Sequence, residues 1–195
     1  MRSFIIILLL TLFFNKNAYA DEISDYEIAG AKLNISIVEI MTVDEISENI
    51  IAKDNRDPRY THIKYTPDIS KYSGLEFDEY VLTVDTEDDI FPIVSVSAII
   101  YFNDFNECLK KQSSYANRFE RLFKIKKSAY PVQDFSKRYG PGSKWRAIVF
   151  EKPNYKVVKS DTASVLCYHY GDKSYQDNLK LNILARDYAN AITVN

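Results

Sequence analysis

Glycine, proline, cysteine, histidine and tryptophan are all scarce in this 195-residue chain, at 5, 6, 2, 2 and 1 residues. Each scarcity excludes something. No Pro/Gly/Ser-rich linker, low-complexity tract or internal repeat divides the sequence, which predicts one domain. Two histidines and two cysteines, with no HExxH or CxxC spacing, do not supply the three or four converging ligands of a zinc site, so no metal or other cofactor is expected. No serine sits in a G-x-S-x-G elbow and none is followed three residues later by lysine. No catalytic residue is therefore assigned, and Ser-His-Asp chemistry would have to use His62 or His169. Among 27 acids nothing in the spacing selects a glycosidase-like pair. Runs of lysine and arginine are missing too, and the net charge is −2, which argues against a nucleic-acid partner.

What is present begins at the amino terminus. Arg2 precedes an apolar run from Phe4 to Phe14, and Ala18-Tyr19-Ala20 has the small-x-small pattern of a signal-peptidase site. A signal peptide over 1–20, cut after Ala20, is expected, with an uncleaved anchor as the alternative. The run is shorter than the about 20 residues that span a bilayer, so no stable membrane insertion is expected after cleavage. Cleavage would remove two cations and no acid, moving the net charge to about −4. The mature part, 21–195, would be periplasmic or secreted. In such an oxidising compartment an even pair, Cys108 and Cys167, is most simply one disulfide.

Along the chain, "DYEIAGAKL" (25–33) reads as extended, with Gly30 as a bulge or bend. Asn34 as an N-cap, with Ile35, Val38 and Met41 on one face, predicts a short helix. A capping box from Thr42 and Glu45 predicts a second, carrying Val43, Ile46 and Ile50 inward. Alternation then predicts strands at 60–66, 77–86 and 91–102, the last two a hairpin turning at Glu87-Asp88-Asp89. Phe105, Cys108, Leu109, Tyr115, Phe119, Leu122 and Phe123 form one stripe of an amphipathic helix over 104–125. A loop is expected through 128–144. Strands follow at 145–151, 162–170 and 177–185, with turns at Pro153-Asn154 and Gly171-Asp172. The expected class is α+β: a single antiparallel sheet of about six strands, a short N-terminal helical pair, and one long amphipathic helix on one face.

"ISDYEIAGAKLNISIVEIMTVDEISENI", "IIYFNDFNECLKKQ", "VLCYHY" and "DNLKLNILARDYANAI", in that order, resemble a group of small uncharacterised exported proteins of marine bacteria. Their openings follow a D-[FY]-E-I-x-G-x-[SK]-[IL] pattern. The group places glycine and aspartate after that opening, where this chain has Asn34 and Ser36. It has no assigned activity, so the resemblance implies no functional residue.

Several stretches weigh chemistry against structure. In "SVLCYHYGD" (164–172), Cys167 and His169 share a strand face as a thiol–imidazole pair would, but a disulfide removes the nucleophile. "YGPGSKW" (139–145) has the Gly-x-Gly-Ser-Lys of a phosphate cradle. It leads into a strand rather than a helix, and reads as a turn. "DTEDD" (85–89) lacks the alternating order of a calcium loop and reads as a solvated hairpin turn. The aromatic load, 15 Tyr and 11 Phe, is the remaining signal. Tyr168 and Tyr170, with Tyr65 and Tyr80, are expected on the strand face opposite the helix as a contact surface. The function expected is a non-enzymatic binding or envelope-accessory domain for an envelope protein or glycan. The alternatives are a small exported hydrolase using His62 or His169 with a carboxylate, and a secreted enzyme inhibitor docking through 127–143.

Overall fold

A computed structural model describes residues 23–72, 76–150 and 160–193. The expected signal peptide and the turn at Pro153-Asn154 lie outside them. The described chain is α+β, built on one antiparallel sheet. Its strands are β1 (Ile50–Lys53), β2 (Tyr60–Tyr65), β3 (Glu79–Asp85), β4 (Ile93–Tyr101) and β5 (Lys127–Ala129). They continue with β6 (Gln133–Asp134), β7 (Lys144–Phe150), β8 (Thr162–His169) and β9 (Asn178–Leu184). Their spatial order is β1-β2-β3-β4-β9-β8-β7-β5, with β6 paired on the other half of β7. The described strands number nine, not six. The three additions are two to four residues long, and all four residues of β1 are exposed, so none carries a burial alternation to read. With β5, β6 and the short helix α3 (Ser136–Tyr139), segment 127–143 is folded against β7 and is not a free loop.

Register divides the sheet into two faces. Cys167 pairs with Leu179, Val165 with Leu181, and Leu181 with Ala98, so these share one face. On that face lies α2 (Phe105–Phe123), which buries Phe105, Cys108, Gln112, Ala116, Phe119 and Phe123. Asp104 caps its start by accepting from Asn106 N–H at 2.8 Å, and Lys124 ends it in the left-handed region at φ 54°. Cys108 and Cys167 are disulfide-bonded, with Cα atoms 6.0 Å apart. Phe119 and Phe150 meet edge-on at 5.8 Å. Tyr26 completes this layer, its ring 5.4 Å from those of both Phe119 and Phe123.

The amino-terminal segment differs from its reading. Residues 25–33 are not a strand: after a 3-10 turn at Ile23–Asp25, Ala29 (φ 54°) and Gly30 (φ 88°) make a tight turn bridged by Ile28 and Ala31. A Cβ on Gly30 would lie 2.2 Å from the Tyr72 hydroxyl. Asn34 is left-handed at φ 64° and caps nothing; Ser36 N–H donates to Glu39 Oε1 at the start of a 3-10 turn, Ile37–Glu39. In α1 (Val43–Glu48) the Thr42 and Glu45 side chains do exchange bonds with each other's backbone. Val38, Val43 and Ile50 face solvent, at 53%, 71% and 54% exposure. Helices of one or two turns bury a single row, and here it is Ile37 and Met41, with Ile46 half-buried beside them.

Candidate functional site

The other sheet face is where polar groups collect. Alternation along β9 turns Leu179, Leu181 and Ile183 to α2 and leaves Asn178, Lys180, Asn182 and Leu184 on the second face. Asn182 lies between Ser97 on β4 and Ser164 on β8, and accepts from the Ser97 hydroxyl at 2.8 Å. Thr83 lies between His62 on β2 and Ser95 on β4. Over this row sits the carboxy-terminal helix α4 (Arg186–Thr193). Its Tyr188 and Ile192, with Ile51 and Arg56, close a cavity of about 420 Å³ whose floor includes Ser95, Ser97, Ser164, Lys180 and Asn182.

One wall is a closed polar network. Asp54 accepts from Arg56 Nε and Nη2 at 3.2 Å each and from the Tyr188 hydroxyl at 2.9 Å. His62 Nε2 is 3.4 Å from Asp54 Oδ2, and its Nδ1 is 3.0 Å from Thr83 Oγ1. Burial works to raise the Asp54 carboxyl, but the Arg56 side chain and backbone, with the Tyr188 hydroxyl, hold it at about 2. His62 moves down: burial outweighs the nearby Asp54 charge. The Tyr188 hydroxyl is pushed up, first by burial and then by its bond to Asp54.

Beyond the cavity the same face turns aromatic. Trp145 stacks on Tyr168 at 6.3 Å and 15°, Tyr168 on Tyr170 at 5.9 Å and 14°, and Tyr170 on Tyr175 at 5.3 Å and 29°. Tyr139 meets Tyr170 and Tyr175 edge-on at 5.1 Å, and Phe135 touches Tyr139, Trp145 and Tyr168. The Arg138 guanidinium lies 5.4 Å from the Tyr139 ring centre. Most of these rings are half-buried and Tyr175 is exposed, so together they offer one continuous apolar surface. Tyr168 joins the two regions, since it also lines the cavity; burial pushes its hydroxyl up.

Tyr168 and Tyr170 thus lie opposite α2. Tyr65 and Tyr80 do not. Tyr80 pairs with Ala98 on the helix face, Tyr65 pairs with Tyr80, and both are buried, at 8% and 5% exposure. A strand's facing is set by its register with its neighbours, which alternation within one strand does not reveal. Their places on the surface are taken by Phe135, Tyr139, Trp145 and Tyr175.

Cys167 has no thiol, so it forms no dyad with His169. His169 ends β8, its Nδ1 2.5 Å from Asp177 Oδ2, while Asp177 Oδ1 accepts from Tyr170 N–H at 2.9 Å. That pairing clips the β8–β9 connection. His62 and His169 project from opposite faces and share no site; among the described residues no cluster of three or more His, Cys, Asp or Glu is placed for a metal. In the 139–145 stretch, Ser143 donates to the Tyr139 and Gly140 carbonyls and accepts from Gly171 N–H, which makes it a turn. In the 85–89 tip, Asp85 and Asp88 accept from Glu87 and Ile90 N–H, capping their own turn. No helix among the described residues is long and apolar enough to cross a membrane, and the disulfide fits an oxidising compartment. No protein-family model, curated protein or solved structure matches this chain.

Proposed function

We propose that the chain is an exported, non-enzymatic binding domain that holds a glycan of the cell envelope on the sheet face opposite the long helix. One observation carries this reading: six aromatic rings form a continuous, partly exposed surface that opens directly onto a cavity floored by hydroxyl and amide groups. Sugars present apolar C–H faces that lie on Tyr and Trp rings, and hydroxyls that exchange hydrogen bonds with Ser and Asn. The volume falls within the about 300–1,000 Å³ of small-ligand sites. Export is supported by Arg2, the apolar run 4–14 and Ala18-Tyr19-Ala20, with the disulfide as its structural companion. The test is affinity electrophoresis of the mature protein through gels containing envelope polysaccharide. Retardation that is lost in Trp145→Ala and Tyr170→Ala is expected; free migration of the parent protein in every such gel would sink the reading.

The hydrolase reading retains one observation in its favour, the Asp54–His62–Thr83 line along the cavity wall. Against it, the Asp54 carboxylate is shared with Arg56 and Tyr188 rather than reserved for the imidazole. Hydrolysis of a model ester or glycoside that disappears in His62→Asn would favour it over simple binding.

A further inference from the structure

The cavity beside the aromatic surface carries a charge imbalance. Asp54 is buried behind the wall and no acidic side chain among the described residues lines the cavity itself, whereas Arg56, His62 and Lys180 all face it, in a chain with more acids than bases. Two of the three are occupied. Arg56 spends its guanidinium on Asp54 and on the Ile192 carbonyl, and His62 stands between Thr83 and Asp54.

Lys180 is different. Register sets it between Ile99 and Leu166, two apolar neighbours, and no described carboxylate comes within ion-pair distance of its Nζ. Glu79, whose charge it feels, holds the Tyr101 hydroxyl at 2.5 Å instead. Lys180 is half-buried at the cavity floor, and its pKa is lowered, first by partial burial and then by the neighbouring Arg56 charge. A cation in that position is stabilised most by an anion arriving from outside, and such charge-assisted bonds are the strong ones. Ser164 and Asn182 flank it with neutral hydrogen-bonding groups, and Tyr168 links it to the aromatic surface.

We infer that the ligand of this face contains an anionic sugar unit, carboxylated or sulfated, whose acidic group sits in the cavity on Lys180 while the sugar ring lies against Tyr168. This rests on the glycan-binding reading and adds to it the charge of the ligand and the residue that selects it.

The chain's one tryptophan, Trp145, stacks on Tyr168 and so reports on the site by its own fluorescence. The mature, oxidised protein is titrated with trimers of galacturonate, of sulfated galactose and of neutral galactose. At least one anionic trimer should bind about tenfold or more tightly than the neutral one, as one charge-assisted bond implies. Lys180→Met should abolish that advantage, bringing the anionic trimer down to the affinity of the neutral one on the same variant. The substitution removes an unpaired charge from apolar neighbours, so folding should survive; Lys180→Gln, with circular dichroism on both, guards the comparison. Equal binding of neutral and anionic trimers, or an anionic advantage that survives both substitutions, would overturn the inference and leave the binding face standing. If no trimer binds, the inference fails alone; the binding face falls only with free migration in every polysaccharide gel.

Discussion

The Tyr188 hydroxyl donates to Asp54 Oδ2 at 2.9 Å across 134 positions of sequence, tying the carboxy-terminal helix to the β1–β2 connection. The Tyr188 ring also meets Tyr60 edge-on at 4.8 Å. Hydroxyl and ring therefore do separate jobs. Tyr188→Phe keeps the ring contact and removes a bond to a charged acceptor, which costs about 2 kcal/mol. Hydrogen exchange should quicken across α4 while the sheet amides stay protected. Unchanged exchange in α4 would mean that ring packing alone holds it.

The same carboxylate sets a pH dependence. Asp54 has its pKa lowered in the fold, to about 2 from an ordinary 3.8, so its contribution is present above the ordinary value and lost as pH falls toward 2. By pH 3 about 1 kcal/mol should be gone on this account. His62 acts in the same direction at higher pH: its folded pKa is lowered, so below about 6.5 the unfolded chain takes up a proton that the fold resists. Urea midpoints at pH 7, 5 and 3 should therefore decline stepwise. In His62→Gln the decline between pH 7 and 5 should shrink, and that between 5 and 3 should remain.

The Cys108–Cys167 bridge closes a loop of 59 positions between α2 and β8. Chain-entropy bookkeeping for a loop of that size puts its worth at about 4 kcal/mol. Cys108→Ala with Cys167→Ala should lower the denaturation midpoint correspondingly, and dithiothreitol should lower the parent protein alone. A double variant as stable as the parent would place the helix–sheet attachment in packing rather than in the bridge.

Gln112 lies on the buried side of α2 and sends Nε2 to two strand carbonyls, Arg146 at 2.9 Å and Val165 at 2.8 Å, joining the helix to β7 and β8. Removing the amide leaves those carbonyls without that donor in a closed layer, so Gln112→Ala should cost about 1–3 kcal/mol. Gln112→Leu, which refills the volume but restores no donor, should recover little. Full recovery would show that volume matters there and the bonds do not.

Gln112 also marks where reading the sequence stops. A stripe scored by apolarity finds Phe105, Cys108, Phe119 and Phe123 and passes over a buried glutamine, because only the facing carbonyls make it welcome. The class and the single antiparallel sheet were legible because strands such as NLKLNIL alternate plainly. That alternation already separated Lys180 and Asn182 from their leucines. What it could not supply was the neighbours: Ser97, Ser164, Thr83 and His62 join Asn182 and Lys180 only through the order β2-β3-β4-β9-β8, a set of long-range pairings. The same missing order misplaced Tyr65 and Tyr80, and hid Trp145 beside Tyr168.

Whether the aromatic surface is a single unit can be tested from beneath it. Tyr139 rides on α3, while Tyr170 and Tyr175 sit at the β8–β9 connection, so their contacts require two segments to close on each other. They close through Gly171, where a Cβ would lie 2.0 Å from the Pro141 carbonyl oxygen, backbone that cannot turn aside as a side chain does. Asp172 N–H donates to the Tyr139 carbonyl at 2.9 Å alongside it. Gly171→Ala must therefore push the two segments apart. Tyr139 then loses its edge-on contacts first, while the Trp145–Tyr168 stack, fixed by the β7–β8 register, stays. The expected result is weaker polysaccharide retardation and a loss of about 1–3 kcal/mol of stability, with near-unchanged Trp145 fluorescence. Retardation equal to the parent's would confine the binding surface to Trp145, Tyr168 and the cavity, and remove Tyr139 and Tyr175 from it.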